Sequence, residues 1–178
     1  MPELIAPTVR LHEAWLEARD DWGRDAQQHG SGLGDGDEVD TPEGFAAWVA
    51  RLGAQPAHVQ AHPDDRVPAT YWWIAESSTV LGAISLRHFL NAKLLDGGGH
   101  VGYGIRPSAR RRGLATWALR EVLTAATAMG IPRALLTCDD TNLASAAVIE
   151  RCGGRLEDVR DTWLGHTRRY WIDLPPGA

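Results

Sequence analysis

Three consecutive arginines stand directly before a glycine and an apolar helical pattern, in the order Arg110, Arg111, Arg112 and Gly113. A helix N-terminus presents unpaired backbone N–H groups and the positive end of the helix dipole, and together these bind phosphate. Gly113 lets the backbone come close to a ligand because glycine has no β-carbon. The arginines add positive charge suited to a di- or polyphosphate. The stretch therefore predicts an anion site for a phosphate group of the nucleotide type.

Two common nucleotide motifs do not fit this loop. The dinucleotide fingerprint G-x-G-x-x-G begins at Gly102 and Gly104, but Pro107 stands where the third glycine belongs. A Walker A loop needs a lysine followed by serine or threonine, and the only lysine of the chain is Lys93. The loop is therefore expected to bind a phosphate ligand through a motif other than these two.

Apolar periodicity and chain breakers place the loop between a strand, which ends at Pro107, and a helix with one apolar face over residues 113–129. The same criteria predict further helices at residues 8–22, from 41 and at 142–152, and strands at 69–75, 80–86, 100–106, 133–138, 155–163 and 168–174. Residues 23–42 are predicted to be a loop or lid, and residues 53–67 a polar connection. The order predicts an α/β chain with a mixed sheet.

Length and charge narrow the class of protein. The 178 residues suffice for one domain, with two helices and a lid-like loop in 1–65 and a sheet core in 69–174. A net charge of -5 argues against nucleic acid as the main partner. No run approaches the roughly 20 apolar residues of a membrane span, and no secretory signal opens the chain, so a cytoplasmic location is expected. Cys138 and Cys152 lack metal-ligand spacing, and no metal is expected.

The segment RRRGLA, Arg110 to Ala115, resembles the Q/R-x-x-G-x-G/A pyrophosphate loop of the GCN5-related N-acetyltransferases, the GNAT superfamily. The segment NLAS, Asn142 to Ser145, resembles the N-x-x-S/A opening of the family's following helix, and Gly153 with Gly154 resembles its G-F/G stop. These matches cover about residues 70–174. The block GGHVGYGIRP, with LRHFLN upstream, also resembles a bacterial branch described only as predicted acetyltransferases.

The resemblance implies a single-domain fold with a mixed, mostly antiparallel central sheet, a splayed parallel strand pair and helices on both faces. It implies acetyl-CoA as cosubstrate, with the pantetheine arm paired to the backbone of Tyr103, Gly104 and Ile105. The other implied contacts to the cofactor come from the pyrophosphate loop and two helix starts: Arg110, Arg111, Arg112, Gly113, Leu114, Ala115, Thr116, Asn142 and Ser145.

The implied activity is direct transfer of the acetyl group to an amine in a ternary complex. The amine must lose a proton, and we assign the base to His100, on the strand that presents the thioester; a structural histidine is the alternative. His100→Ala is then expected to lower turnover with little change in acetyl-CoA affinity. Many family members carry a tyrosine as the thiolate's acid where this chain has Ile149, which leaves water, Tyr103 or Ser145 as substitutes.

The acceptor is expected to be a small-molecule or peptide amine that lies across the sheet from the cofactor. Arg87, His88, Asn91 and the segment 27–41 are its candidate contacts, and an Arg87 contact would suit a carboxylate or phosphate. The departure at Ile149 leaves open a non-catalytic acyl-CoA-binding module, and the loop alone leaves open another nucleotide ligand. Strands at a sheet edge in the C-terminal hairpin make a homodimer possible.

Overall fold

The computed structural model describes residues 1–54 and 66–175, which contain five α-helices and seven strands. The helices are α1 (His12–Trp22), α2 (Pro42–Ala54), α3 (Ala92–Asp96), α4 (Leu114–Ala128) and α5 (Leu143–Arg151). The strands are β1 (Glu3–Ile5), β2 (Ala69–Glu76), β3 (Thr79–Arg87), β4 (Val101–Ile105), β5 (Arg133–Asp139), β6 (Arg155–Thr162) and β7 (Gly165–Asp173). The α/β class is confirmed, and most of the connection predicted for 53–67 lies outside the described residues.

The first sheet joins β1, β2, β3 and β4 in that order, and every pair is antiparallel. Residues 80–86 of β3 are buried without alternation, because the strand is central and both faces of the sheet are covered. The strand β1 was not predicted. Three residues are too few to carry a recognisable alternation, and β1 is held by its pairing with the edge of β2, with Leu4 opposite Ile74.

The second sheet has the order β5-β7-β6, again antiparallel. The predicted sheet, mostly antiparallel with a splayed strand pair, is observed as two antiparallel sheets, which meet where His100 N donates to Leu135 O over 2.7 Å. The predicted hairpin turn at residues 164–167 is too long, because β6 ends at Thr162 and β7 begins at Gly165. A glycine suits that position, where φ is 100°.

Two apolar clusters lie on opposite faces of the first sheet. One packs β3, β4 and β5 against α4 and α5 and contains Ile84, Leu119 and Ile149, all fully buried. The other packs β2 and β3 against α1 and α2 around a group of aromatic rings, in which Phe45 and Trp48 lie 5.4 Å apart between ring centroids. No helix within the described ranges is long and apolar enough to span a membrane.

The segment between α1 and α2, predicted to be a loop or lid, packs against the rest of the chain. His12 Nε2 lies 2.7 Å from the carbonyl oxygen of Val39. Asp40 accepts a hydrogen bond from the buried Arg19 over 2.7 Å, and Asp37 pairs with Arg51 of α2. These contacts fix the C-terminal end of the segment against α1 and α2, and its middle part lies against β4 at Gly30.

Candidate active site

The turn before α4 leaves a row of backbone N–H groups open. Arg111 and Gly113 both have left-handed backbone conformations, with φ values of 61° and 78°. The first backbone hydrogen bond of α4 runs from Trp117 N to Gly113 O. Among the described residues, the six N–H groups from Arg111 to Thr116 have no backbone or side-chain acceptor. Consecutive unpaired N–H groups at a helix start form a cradle for an anion.

The three arginines of this loop lie in three different environments. Arg110 Nε donates to the carbonyl oxygen of Ile105 over 3.1 Å, at the end of β4. Arg112 pairs with Glu76 in the β2–β3 hairpin over 2.8 Å and lowers the pKa of that carboxyl. Within the described ranges, the side chain of Arg111 has no partner. The charge at the cradle therefore comes chiefly from Arg111 and the backbone, not equally from all three arginines.

The turn between β4 and the cradle is held by Asp21, a residue that the sequence did not single out. Its Oδ2 accepts hydrogen bonds from Arg106 Nε over 2.7 Å, from Ser108 N over 3.1 Å and from Ser108 Oγ over 2.6 Å. The hydrogen bond from Arg106, followed by that from Ser108 Oγ, lowers the pKa of Asp21 to about 2. The carboxylate thereby ties the end of α1 to the start of the anion cradle.

The strand β4 presents one edge to β5 without ladder pairing in the described structure. Arg106 N donates to Leu81 O, so even-numbered residues of this strand direct their backbone groups to β3. By alternation, the backbone groups of Tyr103 and Ile105 face the cleft toward β5, whereas those of Gly104 face β3. Of the three residues expected to pair with pantetheine, two therefore direct their backbone to the cleft, and of these Ile105 already accepts at its carbonyl oxygen from Arg110 Nε.

His100 closes this cleft at its base. Its backbone N donates to Leu135 O, and its Nδ1 accepts a hydrogen bond from Leu135 N over 2.9 Å. The side chain is buried, and burial, followed by the charge of Arg87, lowers its pKa to about 4. An imidazole whose Nδ1 already accepts a backbone hydrogen bond keeps its proton on Nε2. This geometry gives His100 a structural role between the sheets and disfavours it as the base.

The hydroxyl of Tyr103 reaches across the cleft to the first turn of α5, where it lies 2.7 Å from Ser145 Oγ. Burial raises the pKa of Tyr103, so the phenol stays protonated. Asn142 caps α5 through Oδ1, which accepts from Ser145 N over 3.1 Å. Its side-chain N–H groups have no acceptor among the described residues and remain open to a ligand. Ile149 is fully buried and packs in the core.

The loop between α1 and α2 crosses β4 at its glycines. A Cβ at Gly30 would lie 2.5 Å from Gly102 O, and one at Gly104 would lie 3.0 Å from His29 O, so this approach requires glycine. The crossing brings His29, which the sequence did not single out, onto the face of β4. The residue is exposed, yet protein atoms packed around it and the charge of Arg87 lower its pKa. Its imidazole is therefore neutral at neutral pH.

The three predicted acceptor residues are separated by the fold. Arg87 lines a cavity of about 430 Å³ beside β2 and β3, with Trp163 among the other lining residues. His88 Nε2 lies 2.8 Å from Thr70 Oγ1, and burial lowers its pKa. Asn91 Oδ1 caps α3 by accepting from Leu94 N, and neither His88 nor Asn91 lines the cavity. Of the three, Arg87 is the residue that lines this cavity.

The arrangement combines an anion cradle, a cleft edge with open backbone groups, a protonated phenol and a neutral imidazole. Such a site can hold an extended phosphate ligand and move a proton beside it. No group of three His, Cys, Asp or Glu side chains that could hold a metal ion lies within residues 1–54 and 66–175.

Comparison with protein families identifies one domain type. A family model described as the acetyltransferase (GNAT) domain matches residues 24–155. No curated protein sequence matches the chain. The matched region includes the anion cradle, the cleft and the loop that carries His29.

Solved structures with low sequence identity share the fold. MccE, a microcin C7 self immunity acetyltransferase in complex with acetyl-CoA and AMP, is 15% identical with a TM-score of 0.69, over 97% of this chain and 92% of that chain. RimJ from Mycobacterium smegmatis, in complex with CoA-disulfide, is 17% identical with a TM-score of 0.69, over 97% and 81%. An acetyltransferase from Salmonella typhimurium that modifies the N-terminal serine of a ribosomal protein is 19% identical with a TM-score of 0.67, over 98% and 95%.

Proposed function

Because the chain belongs to the acetyltransferase (GNAT) family, we propose that it transfers the acetyl group of acetyl-CoA to an acceptor amine by direct attack within a ternary complex. The observation that carries this proposal is the row of six unpaired backbone N–H groups from Arg111 to Thr116, which adjoins the open edge of β4. The cradle suits a pyrophosphate, and the strand edge suits an extended amide-containing arm.

In the proposed complex, the N–H groups of the cradle and the charge of Arg111 hold the pyrophosphate of the cofactor. The pantetheine amides pair with the backbone of Tyr103 and Ile105, as an added strand would. The side-chain N–H groups of Asn142 donate to the same arm. This arrangement leaves the thioester beside β4, below the loop that carries His29.

The proposed reaction proceeds without a covalent enzyme intermediate. The amine nitrogen attacks the thioester carbonyl carbon, a C–N bond forms, the C–S bond breaks, and CoA leaves as a thiolate. His29 accepts the proton that the amine loses, and this proton ends in solvent or on the CoA thiol. The neutral state of the His29 imidazole at neutral pH suits it to accept a proton.

Tyr103 is proposed to stabilise the leaving sulfur. Burial raises its pKa, so the phenol holds its proton more firmly than a thiol does, and a hydrogen bond to the thiolate is favoured over full proton transfer. In the structure Tyr103 OH donates to the carbonyl oxygen of Ser145 over 3.3 Å and lies 2.7 Å from Ser145 Oγ. In the proposed complex Ser145 Oγ donates to the phenolic oxygen, and the phenolic hydrogen turns from the Ser145 carbonyl to the sulfur. The Tyr103 hydroxyl thus reaches from β4 to the start of α5. In the same helix, Ile149 stands where many family members carry the tyrosine that acts on the thiolate.

Acetyl-CoA titration by calorimetry tests the cofactor site. Gly113→Val should weaken binding by tenfold or more, because a β-branched residue strains a left-handed backbone by about 1–2 kcal/mol and crowds the cradle. Gly53→Ala is the matched control, since Gly53 lies in α2 with open space at its Cβ position, and it should bind as the unsubstituted chain does. A folded protein that binds no acetyl-CoA would refute the proposal.

Thiol release then separates catalysis from binding alone. The protein is incubated with acetyl-CoA and a panel of amino acids, polyamines, amino-phosphates and peptides, and free CoA is measured by a colorimetric thiol assay. Acceptor-dependent release supports the transferase. Tight acetyl-CoA binding without release across the panel would favour the non-catalytic module.

A further inference from the structure

A cavity at the ends of β2 and β3 carries unusual charge. It has a volume of about 430 Å³, large enough for a small ligand. Four of its lining residues are cationic, namely Arg51, Arg66, Arg87 and Lys93, and none of the lining residues is acidic. In a chain with a net charge of -5, this concentration of positive charge is local and not a property of the whole surface.

Arg87 is the most constrained of these cations. Its Nη1 donates to the carbonyl oxygens of Gly98 and Gly99 over 3.2 and 2.9 Å. No carboxylate of the described residues pairs with it, and burial lowers the pKa of the guanidinium. A partly buried cation without a counterion costs free energy, and an anionic ligand in the cavity would offset that cost.

The other three cations add positive charge to the lining of the same cavity. Lys93 Nζ lies 4.6 Å from the ring centroid of Trp163, a contact with no negative charge. Arg66 makes no ion pair with any other described residue. Only Arg51 has a carboxylate partner, Asp37. Three of the four cations therefore lack a compensating charge in the described part of the chain.

The cavity lies close to the proposed reaction centre. Arg87 N donates to His100 O over 2.7 Å, at the start of β4. Tyr103 is three residues further along this strand, about 10 Å at the usual rise, and His29 lies near enough to Arg87 for their charges to interact. The cationic cavity therefore lies at the start of β4, and the proposed position of the thioester lies further along the same strand.

We propose that this cavity binds the anionic group of the acceptor, so that the acceptor is a small amine carrying a phosphate or carboxylate group. The inference rests on the proposed acetyl transfer, because it assigns the cavity to the acceptor half of that reaction. The distance along β4 favours an acceptor whose amine and anionic group are several bonds apart. Arg87 and Lys93 hold the anion and leave the amine directed toward β4.

Anion binding tests the proposal without requiring turnover. Inorganic phosphate and γ-aminobutyrate are titrated by calorimetry into protein saturated with CoA, which occupies the cradle at α4. The expected result is one anion site that Arg87→Met and Lys93→Met each weaken by about tenfold or more, the effect of removing a charge-assisted hydrogen bond. Lys93→Met is expected to fold even if Arg87→Met does not, because Lys93 is exposed and its charge pairs with no carboxylate in the described structure.

Arg10→Met is the matched control. Arg10 is exposed, and its side chain makes no hydrogen bond or ion pair within the described ranges. This variant should bind both anions as the unsubstituted protein does. The proposal is overturned if neither anion binds, or if Arg87→Met and Lys93→Met bind them as tightly as Arg10→Met does.

Turnover with matched acceptors distinguishes the two anionic groups. Phosphoethanolamine is compared with ethanolamine, and γ-aminobutyrate with butylamine, by kcat/KM from thiol release. The charged member of at least one pair should be preferred by about tenfold or more, and Arg87→Met should abolish that preference. If acetyl-CoA binds but no charged amine is preferred, this inference fails alone. If acetyl-CoA does not bind, the proposed function fails, and the anion titration without CoA still tests the cavity.

Discussion

The imidazole of His100 links two sheets in its neutral form, and this state ties the stability of the fold to pH. Burial, followed by the charge of Arg87, lowers its folded pKa to about 4 from an ordinary value of 6.5. Between those two values the unfolded chain binds more protons than the folded one, so protonation favours unfolding. The stabilising contribution is therefore complete above pH 6.5 and is lost as pH falls toward 4.

We expect the free energy of unfolding to fall by about 3 kcal/mol at most between pH 6.5 and 4 from this residue alone. His100→Asn is the informative variant, because its amide oxygen can still accept from Leu135 N but the side chain does not titrate. Urea unfolding at several pH values should show a flatter dependence in the variant. Equal pH dependence in both proteins would contradict the structural assignment of His100.

Tyr103 provides a test of chemistry apart from binding. Tyr103→Phe keeps the ring and the backbone of β4 but removes the hydroxyl that lies beside Ser145. A hydrogen bond to a charged group contributes about 1.5–3 kcal/mol, so loss of the one to the leaving thiolate should lower kcat by about tenfold or more. Acetyl-CoA affinity, measured by calorimetry, should stay nearly constant. A variant with unchanged kcat would remove the phenol from the mechanism.

His29 should control the acidic limb of the pH–rate profile. Since packing and the charge of Arg87 lower its pKa below 6.5, kcat/KM is expected to fall as pH drops below that value and His29 becomes protonated. His29→Asn should lower kcat/KM and remove this limb, whereas His100→Asn should retain it. The opposite pattern would restore His100 as the base.

Single residues were predictable where the chemistry is local. The open helix start at Gly113 could be predicted from the arginines, the glycine and the apolar helical pattern, which stand next to one another in the chain. The role of Tyr103 came from the family resemblance and stays a prediction. The contact between His100 Nδ1 and Leu135, and the position of His29 over Gly104, join distant segments. Neither contact leaves a pattern in the sequence, so no local reasoning could find them.

At the level of elements, the end of α1 supports the anion cradle through Asp21. Asp21→Asn keeps the size of the side chain but loses the charge that holds Arg106 and Ser108. The turn after β4 should then loosen, and acetyl-CoA affinity should weaken several-fold while secondary structure is retained. Calorimetry and circular dichroism measure the two effects.

Asp25→Asn is the matched control, because Asp25 is exposed and pairs with no other described residue. It should bind acetyl-CoA as the unsubstituted protein does, and equal weakening in both variants would point to net charge instead of the turn. The folded pKa of Asp21 is lowered to about 2, so its contribution should persist at pH 5 and be lost only as pH falls from about 4 toward 2.

Long elements were predictable and short ones were not. The apolar periodicity of residues 113–129 predicted α4 within one residue at each end. The strand β1 has three residues and the helix α3 has five, which is too few to show a helical or a strand periodicity of apolar residues in the sequence. These two elements are held by contacts with β2 and by the cap from Asn91, which belong to the folded molecule.

At the scale of the whole molecule, β3 joins the two apolar clusters. Ile84 and Leu86 point into the cluster under α4, whereas Val80 and Ala83 belong to the aromatic cluster under α1 and α2. The sequence predicted a sheet with helices on both faces, and this is confirmed. The opening between β4 and β5 beyond His100 agrees with the splayed strand pair that the family resemblance implied, although no composition signal marks such an opening.

Because β3 contributes residues to both apolar clusters, we expect the two clusters to unfold together. Tryptophan fluorescence, which includes Trp48 and Trp73 in the aromatic cluster, and far-ultraviolet circular dichroism should give the same thermal midpoint. Acetyl-CoA at about 100 times its dissociation constant should stabilise the fold by about 2.7 kcal/mol and raise both midpoints equally, although its proposed phosphate and pantetheine contacts are at α4, α5 and β4, outside the aromatic cluster. If only the dichroism midpoint rises, the two faces are not coupled through β3, and the second sheet with its helices unfolds as a separate unit.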